Sequence, residues 1–201
     1  MSRKESEDSV QQIVSIFSLP FYGRLRLLFP LFWNPDRNEI PATRDAIRML
    51  ERTLIIIKPD GVQRHLAGQI IARFESKGLK LVAAKFMRIP LRIAKRLYAV
   101  HKGKTFYEGL VRYLSSSPSL VMVWEAEGVI EMVRKMMGAT FGFDAQPGTI
   151  RGDFSCSKGY NLVHGSDSPE AAKREIRLFF KPDEIVDYRF SDATWLYGKN
   201  D

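Results

Sequence analysis

Apolar residues run almost unbroken through Thr53–Lys58 (TLIIIK), and this β-branched stretch predicts a short strand. Pro59-Asp60-Gly61 ends it with a strong turn signal. The period then changes. Over Val62–Ser76, Ile70, Ile71 and Phe74 fall on one helical face, and Lys77-Gly78 closes the helix. Leu79–Ile89 alternates Leu79, Leu81, Ala83, Lys85 and Met87 with polar or small neighbours and predicts a long strand. Leu91–Val100 and Thr105–Leu114 carry helical spacing and predict an αα-hairpin. Ser119–Glu125 (SLVMVWE) predicts a buried strand, with a helix over Glu127–Met137 behind it.

Gly138–Gly159 has no sustained periodicity and predicts a long loop, a feature that in a small domain points to function. Tyr160–Val163 predicts a last short strand, out of which His164-Gly165-Ser166-Asp167 turns. Ser168-Pro169 supplies an N-cap and a first helical residue, and the helix Pro169–Phe180 turns Ala172, Ile176 and Phe179 inward. The order βαβ, helical pair, βα, loop, βα predicts an α+β fold. It is a ferredoxin-like α/β sandwich with a four-stranded antiparallel sheet covered by helices.

That pattern occupies residues 51–201 and leaves residues 1–50 as an N-terminal extension. Ile13–Trp33 is apolar but broken by Pro20, Arg24, Arg26 and Pro30, which excludes a spanning helix. Glu5, Glu7 and Asp8 at the start argue against a secretory or mitochondrial leader. The aromatic-rich stretch 13–33 is read as packing on protein, in preference to dipping into a membrane surface beside Arg24 and Arg26. Asn34–Thr43 reads as a turn-rich linker, and Ala42–Leu50 as a short helix.

Charge narrows the partners. The net +8 is carried almost wholly by residues 51–201, with 24 Lys/Arg against 17 Asp/Glu. A basic folded domain suits a polyphosphate, a nucleic acid or an anionic membrane face. No basic cluster with interleaved aromatics appears, so a specific nucleic-acid partner is not expected. Cys156 is the single cysteine, so no intrachain disulfide forms and a reducing cytoplasm is the expected setting. His65, His101 and His164 are too scattered for a zinc motif.

The usual phosphate cradles are missing. Gly103-Lys104-Thr105 has the tail of a Walker loop, but Tyr98 stands where its first glycine belongs, and there is no G-x-G-x-x-G. No G-x-S-x-G elbow suggests a serine hydrolase. The residue with a mechanism is His164, placed where a strand ends in Gly-Ser-Asp. An imidazole is partly neutral at pH 7 and nucleophilic, so it can accept a phosphoryl group at one nitrogen while the other keeps its proton. Glu175, eleven residues on and two turns into the next helix, is positioned to hold that second N–H. The bland alternative for an isolated histidine is a satisfied, half-buried ring at a strand end. Lys58, Arg134 and Arg151 are the cations available for the phosphates, where transfer asks for positioning and charge.

Three blocks carry a resemblance. Glu51-Arg52-Thr53 through Ile57-Lys58-Pro59-Asp60-Gly61-Val62-Gln63-Arg64, Pro147–Phe154 (PGTIRGDF) and Asn161–Ser168 (NLVHGSDS) look like the opening, the loop and the active-site signature of nucleoside diphosphate kinases, in order over residues 51–198. The resemblance implies phosphate transfer from a nucleoside triphosphate such as ATP to a nucleoside diphosphate, by a ping-pong cycle through a phosphorylated His164. It implies that Glu175 orients the histidine and that Ser166 supports the glutamate. It assigns Lys58, Tyr98, Arg134, Thr140, Arg151 and Asn161 to the phosphates and sugar, Phe106 to base stacking and Leu110 to the same slot. Stacking accepts any base, which suits a base-tolerant enzyme. Magnesium is implied as a passenger on the nucleotide, with Asp167 reaching it through water. The long tail Lys181–Tyr197 resembles that of hexameric members and implies a hexamer built from dimers. The chain departs from the family at Lys104, commonly arginine, at Lys158, usually valine, and at Phe141-Gly142, usually Asn-Pro. A catalytically inactive nucleotide-binding or assembly module of the same fold is the alternative.

Overall fold

Leu54–Ile57 are all fully buried because both faces of their strand are covered, which is why the sequence there reads as a run rather than an alternation. The computed structural model describes residues 50–189, 191 and 193–198. The readings made for the aromatic stretch 13–33, the linker and the short helix before Leu50 lie outside these residues. Strand β1 spans Leu50–Ile57 and is the centre of the sheet. It pairs antiparallel with β3 (Ser119–Glu127) on one side and with β4 (Val163–Gly165) on the other. β2 (Lys80–Met87) pairs with the far side of β3, with a bulge between Leu81 and Ala83. The order β2-β3-β1-β4, all antiparallel, gives the ferredoxin-like sandwich expected.

Two hydrophobic layers follow from the alternation of side chains across the sheet. Leu54, Ile56, Val121 and Val123 face one way, against α3 (Leu91–Leu97), α4 (Tyr107–Leu114) and the Ile176–Phe179 end of α7 (Pro169–Phe179). Ile55, Ile57, Met122 and Trp124 face the other way, against α2 (Ala67–Ser76) and α5 (Val129–Met137). Trp124 and Phe74 centre this second layer, their rings 5.5 Å apart.

The structure revises three boundaries. The helix expected over Val62–Ser76 is two pieces, α1 (Pro59–Gln63) and α2, because His65 turns into the left-handed region at φ +57°. The long loop contains a 3-10 turn at Gly142–Asp144 and a helix α6 (Ile150–Phe154), capped by the Thr149 hydroxyl accepting from the Gly152 amide at 3.1 Å. Five residues are too few to show a helical period. The last strand is shifted along the chain, so that His164 lies within β4 opposite Ile56 instead of beyond the strand end. Ser168 does cap α7, its hydroxyl accepting from the Ala171 amide at 3.1 Å. Among the described residues no helix is long and apolar enough to cross a membrane.

Candidate functional site

β4 is the edge strand beside β1, and α7 packs back against β1 from the loop that follows it. This strand-turn-helix return brings the two residues expected to cooperate together. His164 Nε2 lies 2.9 Å from Glu175 Oε2, and the Ser166 hydroxyl donates to the same oxygen at 2.9 Å. Ser166 is fixed in turn, since its hydroxyl accepts from the Leu54 amide at 3.3 Å and its own amide donates to the Leu54 carbonyl at 3.1 Å. Burial pushes the Glu175 carboxyl up, but the bonds from His164 and Ser166 and the nearby Arg174 charge outweigh it, and its pKa is held below the ordinary glutamate value. Glu175 is therefore an ionised, acceptor-only group at neutral pH. Nε2 must then carry the proton, and the neutral ring keeps its lone pair on Nδ1. The ring is 17% exposed, enough for an incoming group to reach it.

Beside the histidine is a cluster of buried cations. Lys58 follows the last residue of β1, is 5% exposed, and donates from Nζ to Asn161 Oδ1 at 2.6 Å. Burial first, and the Arg151 charge second, lower its pKa to about 8 against a smaller upward pull from Asp60. Arg151, on α6, donates to the carbonyls of Asn161 (3.2 Å), Gly138 (2.9 Å), Ala139 (3.4 Å) and Val163 (2.8 Å). Burial and the Arg134 charge lower its pKa to about 10. The guanidinium thus braces the backbone around the site, and one of its five N–H groups remains for a ligand. Gly138 ends α5 at φ +81°, where a Cβ would stand 2.4 Å from Thr149 Oγ1. Arg134 is exposed on the last turn of α5, and Thr140 is exposed with its carbonyl accepting from Asn161 Nδ2 at 2.8 Å.

Aromatic rings form the opposite wall. Tyr98 ends α3 and stands edge-on to the His164 ring, 5.9 Å between centroids and 86° between planes. Its hydroxyl is buried and has no hydrogen-bond partner among the described residues. Burial and the Glu175 charge push the Tyr98 phenol well above its ordinary value, so it stays a neutral donor. His101 bridges Tyr98 to Phe106, at centroid distances of 6.0 and 5.6 Å. Phe106 begins α4 and is 54% exposed, while Leu110, one turn on, is half-buried against the first layer. Asp167 is exposed and shares a shallow groove of about 600 Å³ with Arg134 and Glu51. Among the described residues no cluster of three or more His, Cys, Asp or Glu forms a metal cage.

Three neighbours escaped the sequence reading. Asp60 accepts from the Tyr113 hydroxyl on one carboxylate oxygen and from the Leu162 amide at 3.0 Å on the other. Leu162 is fully buried at φ +66°, a conformation that costs an L-residue about 1–2 kcal/mol. Its carbonyl accepts from the Lys58 amide at 2.8 Å, and the Val163 amide bonds back to the Asn161 carbonyl at 2.7 Å. This turn sets Asn161 against Lys58 just before His164. A leucine carries no sequence signal for a left-handed backbone, and Asp60 reads only as part of a turn.

The family model described as nucleoside diphosphate kinase matches residues 51–185. Nucleoside diphosphate kinase 3 of Spinacia oleracea is 56% identical over 151 residues, 75% of this chain and 98% of the relative. The nucleoside diphosphate kinase of Carboxydothermus hydrogenoformans is 53% identical over 148 residues, 74% of this chain and 99% of the relative. Among solved structures, a nucleoside diphosphate kinase of Halobacterium salinarum in complex with CDP superposes with a TM-score of 0.72 at 50% identity, over 74% of this chain and 99% of that one. A transition-state mimic of the Borrelia burgdorferi enzyme, with bound vanadate and ADP, gives a TM-score of 0.68 at 42% identity, over 71% and 94% of the two chains.

Proposed function

The chain belongs to the nucleoside diphosphate kinase family and moves phosphoryl groups between nucleotides, and we propose that it does so in two steps through phosphohistidine at His164. The observation that carries the reading is the bond from His164 Nε2 to Glu175, which leaves Nδ1 as the nucleophile. In the first step the Nδ1 lone pair bonds to the γ-phosphorus of a nucleoside triphosphate such as ATP. The bond from that phosphorus to its bridging oxygen breaks, and the diphosphate leaves with the electron pair. The positive charge that forms on the ring is stabilised by Glu175 across the Nε2–H bond, and Ser166 fixes the glutamate. In the second step a terminal oxygen of another nucleoside diphosphate takes the phosphoryl group, and Nδ1 regains its lone pair.

Lys58, Arg134 and the remaining Arg151 N–H bind the phosphates, with Thr140 and Asn161 beside them and the unpartnered Tyr98 hydroxyl donating to the same group. Phe106 stacks on the base, and Leu110 lines the slot. A divalent cation travels with the nucleotide, and Mg²⁺ is the ion proposed. It would neutralise phosphate charge, with Asp167 reaching it through water. A homohexamer is proposed from the long C-terminal tail, whose Trp195 is 90% exposed and suited to burial against another copy; a tetramer or monomer mass in light scattering counts against it. Residues 1–50 are proposed as an extension outside the catalytic fold, and the cytoplasm as the setting.

Incubation with labelled ATP tests the core of the reading. An acid-labile, base-stable phosphoprotein should form and discharge onto GDP or CDP, and His164→Ala should neither label nor turn over. An acid-stable label, or one retained by His164→Ala, overturns it.

A further inference from the structure

The positive charge of the kinase domain is not spread over its surface. Residues 88–116 and 169–181, which build the α3–α4 hairpin and α7, hold 11 Lys/Arg against 3 Asp/Glu, or +8. The rest of residues 51–201 holds 13 against 14, or −1. One helical layer therefore accounts for the entire excess. All eleven of these cations are exposed. Arg92, Lys95 and Arg96 share the outward face of α3, whose inward face carries Ile93, Ala94 and Leu97. Lys102 and Lys104 continue the strip to Phe106.

Pairing sharpens the contrast. Elsewhere in the described residues half of the exposed and half-exposed cations are matched, as in Arg52–Glu125, Arg73–Asp153, Lys80–Glu125, Lys85–Glu184 and Lys135–Glu131. Within the basic layer, among the described residues, Arg174 alone forms an ion pair, with Glu175 at 3.4 Å, and Lys181 acts on Glu184 at longer range. The other nine are exposed and have no ion pair among the described residues. The same layer supplies Tyr98, Phe106 and Glu175 to the site, so the field converges on the cleft where a polyphosphate must arrive.

We infer that the outer faces of the α3–α4 hairpin and α7 form an electrostatic funnel that draws the polyphosphate of incoming nucleotides toward His164, through cations that never touch the bound nucleotide. The inference rests on the kinase reading and adds a role for side chains outside the cleft. A layer of one sign beside a cleft raises local substrate concentration and association rate by about 10- to 1,000-fold, and loses this as salt shortens the field from ~30 Å at 0.01 M to ~3 Å at 1 M.

Two variants of the full chain with the same change in net charge test it. Arg92→Glu with Lys95→Glu reverses two funnel charges, and Lys77→Glu with Lys135→Glu reverses two on the opposite layer. At low salt the first pair should lower kcat/KM for both nucleotides about tenfold with kcat unchanged, and the gap should close as salt rises. The second pair should change kcat/KM less than about twofold under the same conditions. Equal effects from the two pairs, no effect from either, or a loss confined to kcat overturns the funnel. If the unaltered chain forms no phosphohistidine, the kinase reading fails instead, and the two failures are told apart.

Discussion

Glu175 and Glu125 are buried to the same depth, 5% and 6% exposed, and their surroundings differ in kind. Glu125 sits in β3 between Arg52 of β1 and Lys80 of β2, which are its register partners on either side, and both cations reach it, at 2.7 and 3.1 Å. Two permanent cations across neighbouring strands leave that carboxylate nothing further to do, and its effect is on sheet pairing. Glu175 Oε2 instead receives an imidazole N–H and a hydroxyl, neither of which brings a permanent charge, and the one permanent cation on the other oxygen, Arg174, is half exposed and 3.4 Å away. That distant, solvent-screened pair leaves Glu175 Oε2 without a close cation until the ring becomes cationic, as it does in the proposed phosphorylation step. The neighbouring groups are under-matched in the same way: Lys58 faces a neutral amide, and the Tyr98 hydroxyl has no partner among the described residues. A saturated buried charge marks architecture, and an incompletely matched one marks the place where a ligand completes the electrostatics.

The largest effect expected within this comparison comes from removing the unmatched charge. Glu175→Gln keeps an acceptor for Nε2–H but loses the anion that stabilises the ring cation. A hydrogen bond to a charged group is worth about 1.5–3 kcal/mol, so kcat should fall about 10- to 100-fold. Single-turnover phosphorylation of His164 checks it, and an unchanged rate breaks the comparison. The same substitution alters acid stability. A carboxyl whose folded pKa lies below its ordinary value of 4.5 adds stability that is complete above that value and lost as pH falls through the folded one. Acid unfolding of Glu175→Gln should lack that component.

Lys58 gives the next effect. With a pKa of about 8, it begins to lose its proton just above neutrality in the free protein, so kcat/KM should fall as pH rises through about 8. Bound phosphate favours the charged form, so kcat should hold to higher pH. On stability the sign is opposite to that of Glu175. The unfolded chain binds the extra proton between about 8 and 10.5, so this group destabilises below about 8 and the penalty fades as pH rises across that window. A kcat/KM profile flat to pH 9.5 counts against the buried lysine as a phosphate ligand.

The difference between the two carboxylates was only half legible in the sequence. The β-branched run at Leu54–Ile57, the Ser168-Pro169 cap and the eleven-residue step from His164 to Glu175 all have local signals, and the structure holds each of them. What stayed hidden depends on pairing between distant strands and loops. Glu125 reads only as the polar end of a strand, because its cations lie 73 and 45 residues away. Asp60 and Tyr113 meet across 53 residues to hold the left-handed Leu162 turn. Arg151 reads as a phosphate ligand by its charge, whereas four backbone carbonyls already take most of its donors. The Phe141-Gly142 departure also has a local reason: a Cβ on Gly142 would lie 2.1 Å from the Ser155 carbonyl oxygen, so this backbone admits only glycine.

The smallest effect on turnover belongs to Glu125→Gln, and it is the control that gives the comparison its meaning. If depth of burial alone made a carboxylate functional, this substitution would damage catalysis as Glu175→Gln does. The cross-strand pairing argues otherwise: Arg52 and Lys80 lose their common anion, and the cost falls on the fold. The expected loss is about 1–3 kcal/mol of unfolding free energy, since the amide still accepts hydrogen bonds while two cations are left under-paired. Urea unfolding should show a lower midpoint with an unchanged slope, and kcat should stay within about twofold of the unaltered chain. A tenfold loss of kcat with the fold intact would mean that the Arg52–Glu125–Lys80 cluster couples to the site through β1, the strand that also carries Ile56 opposite His164.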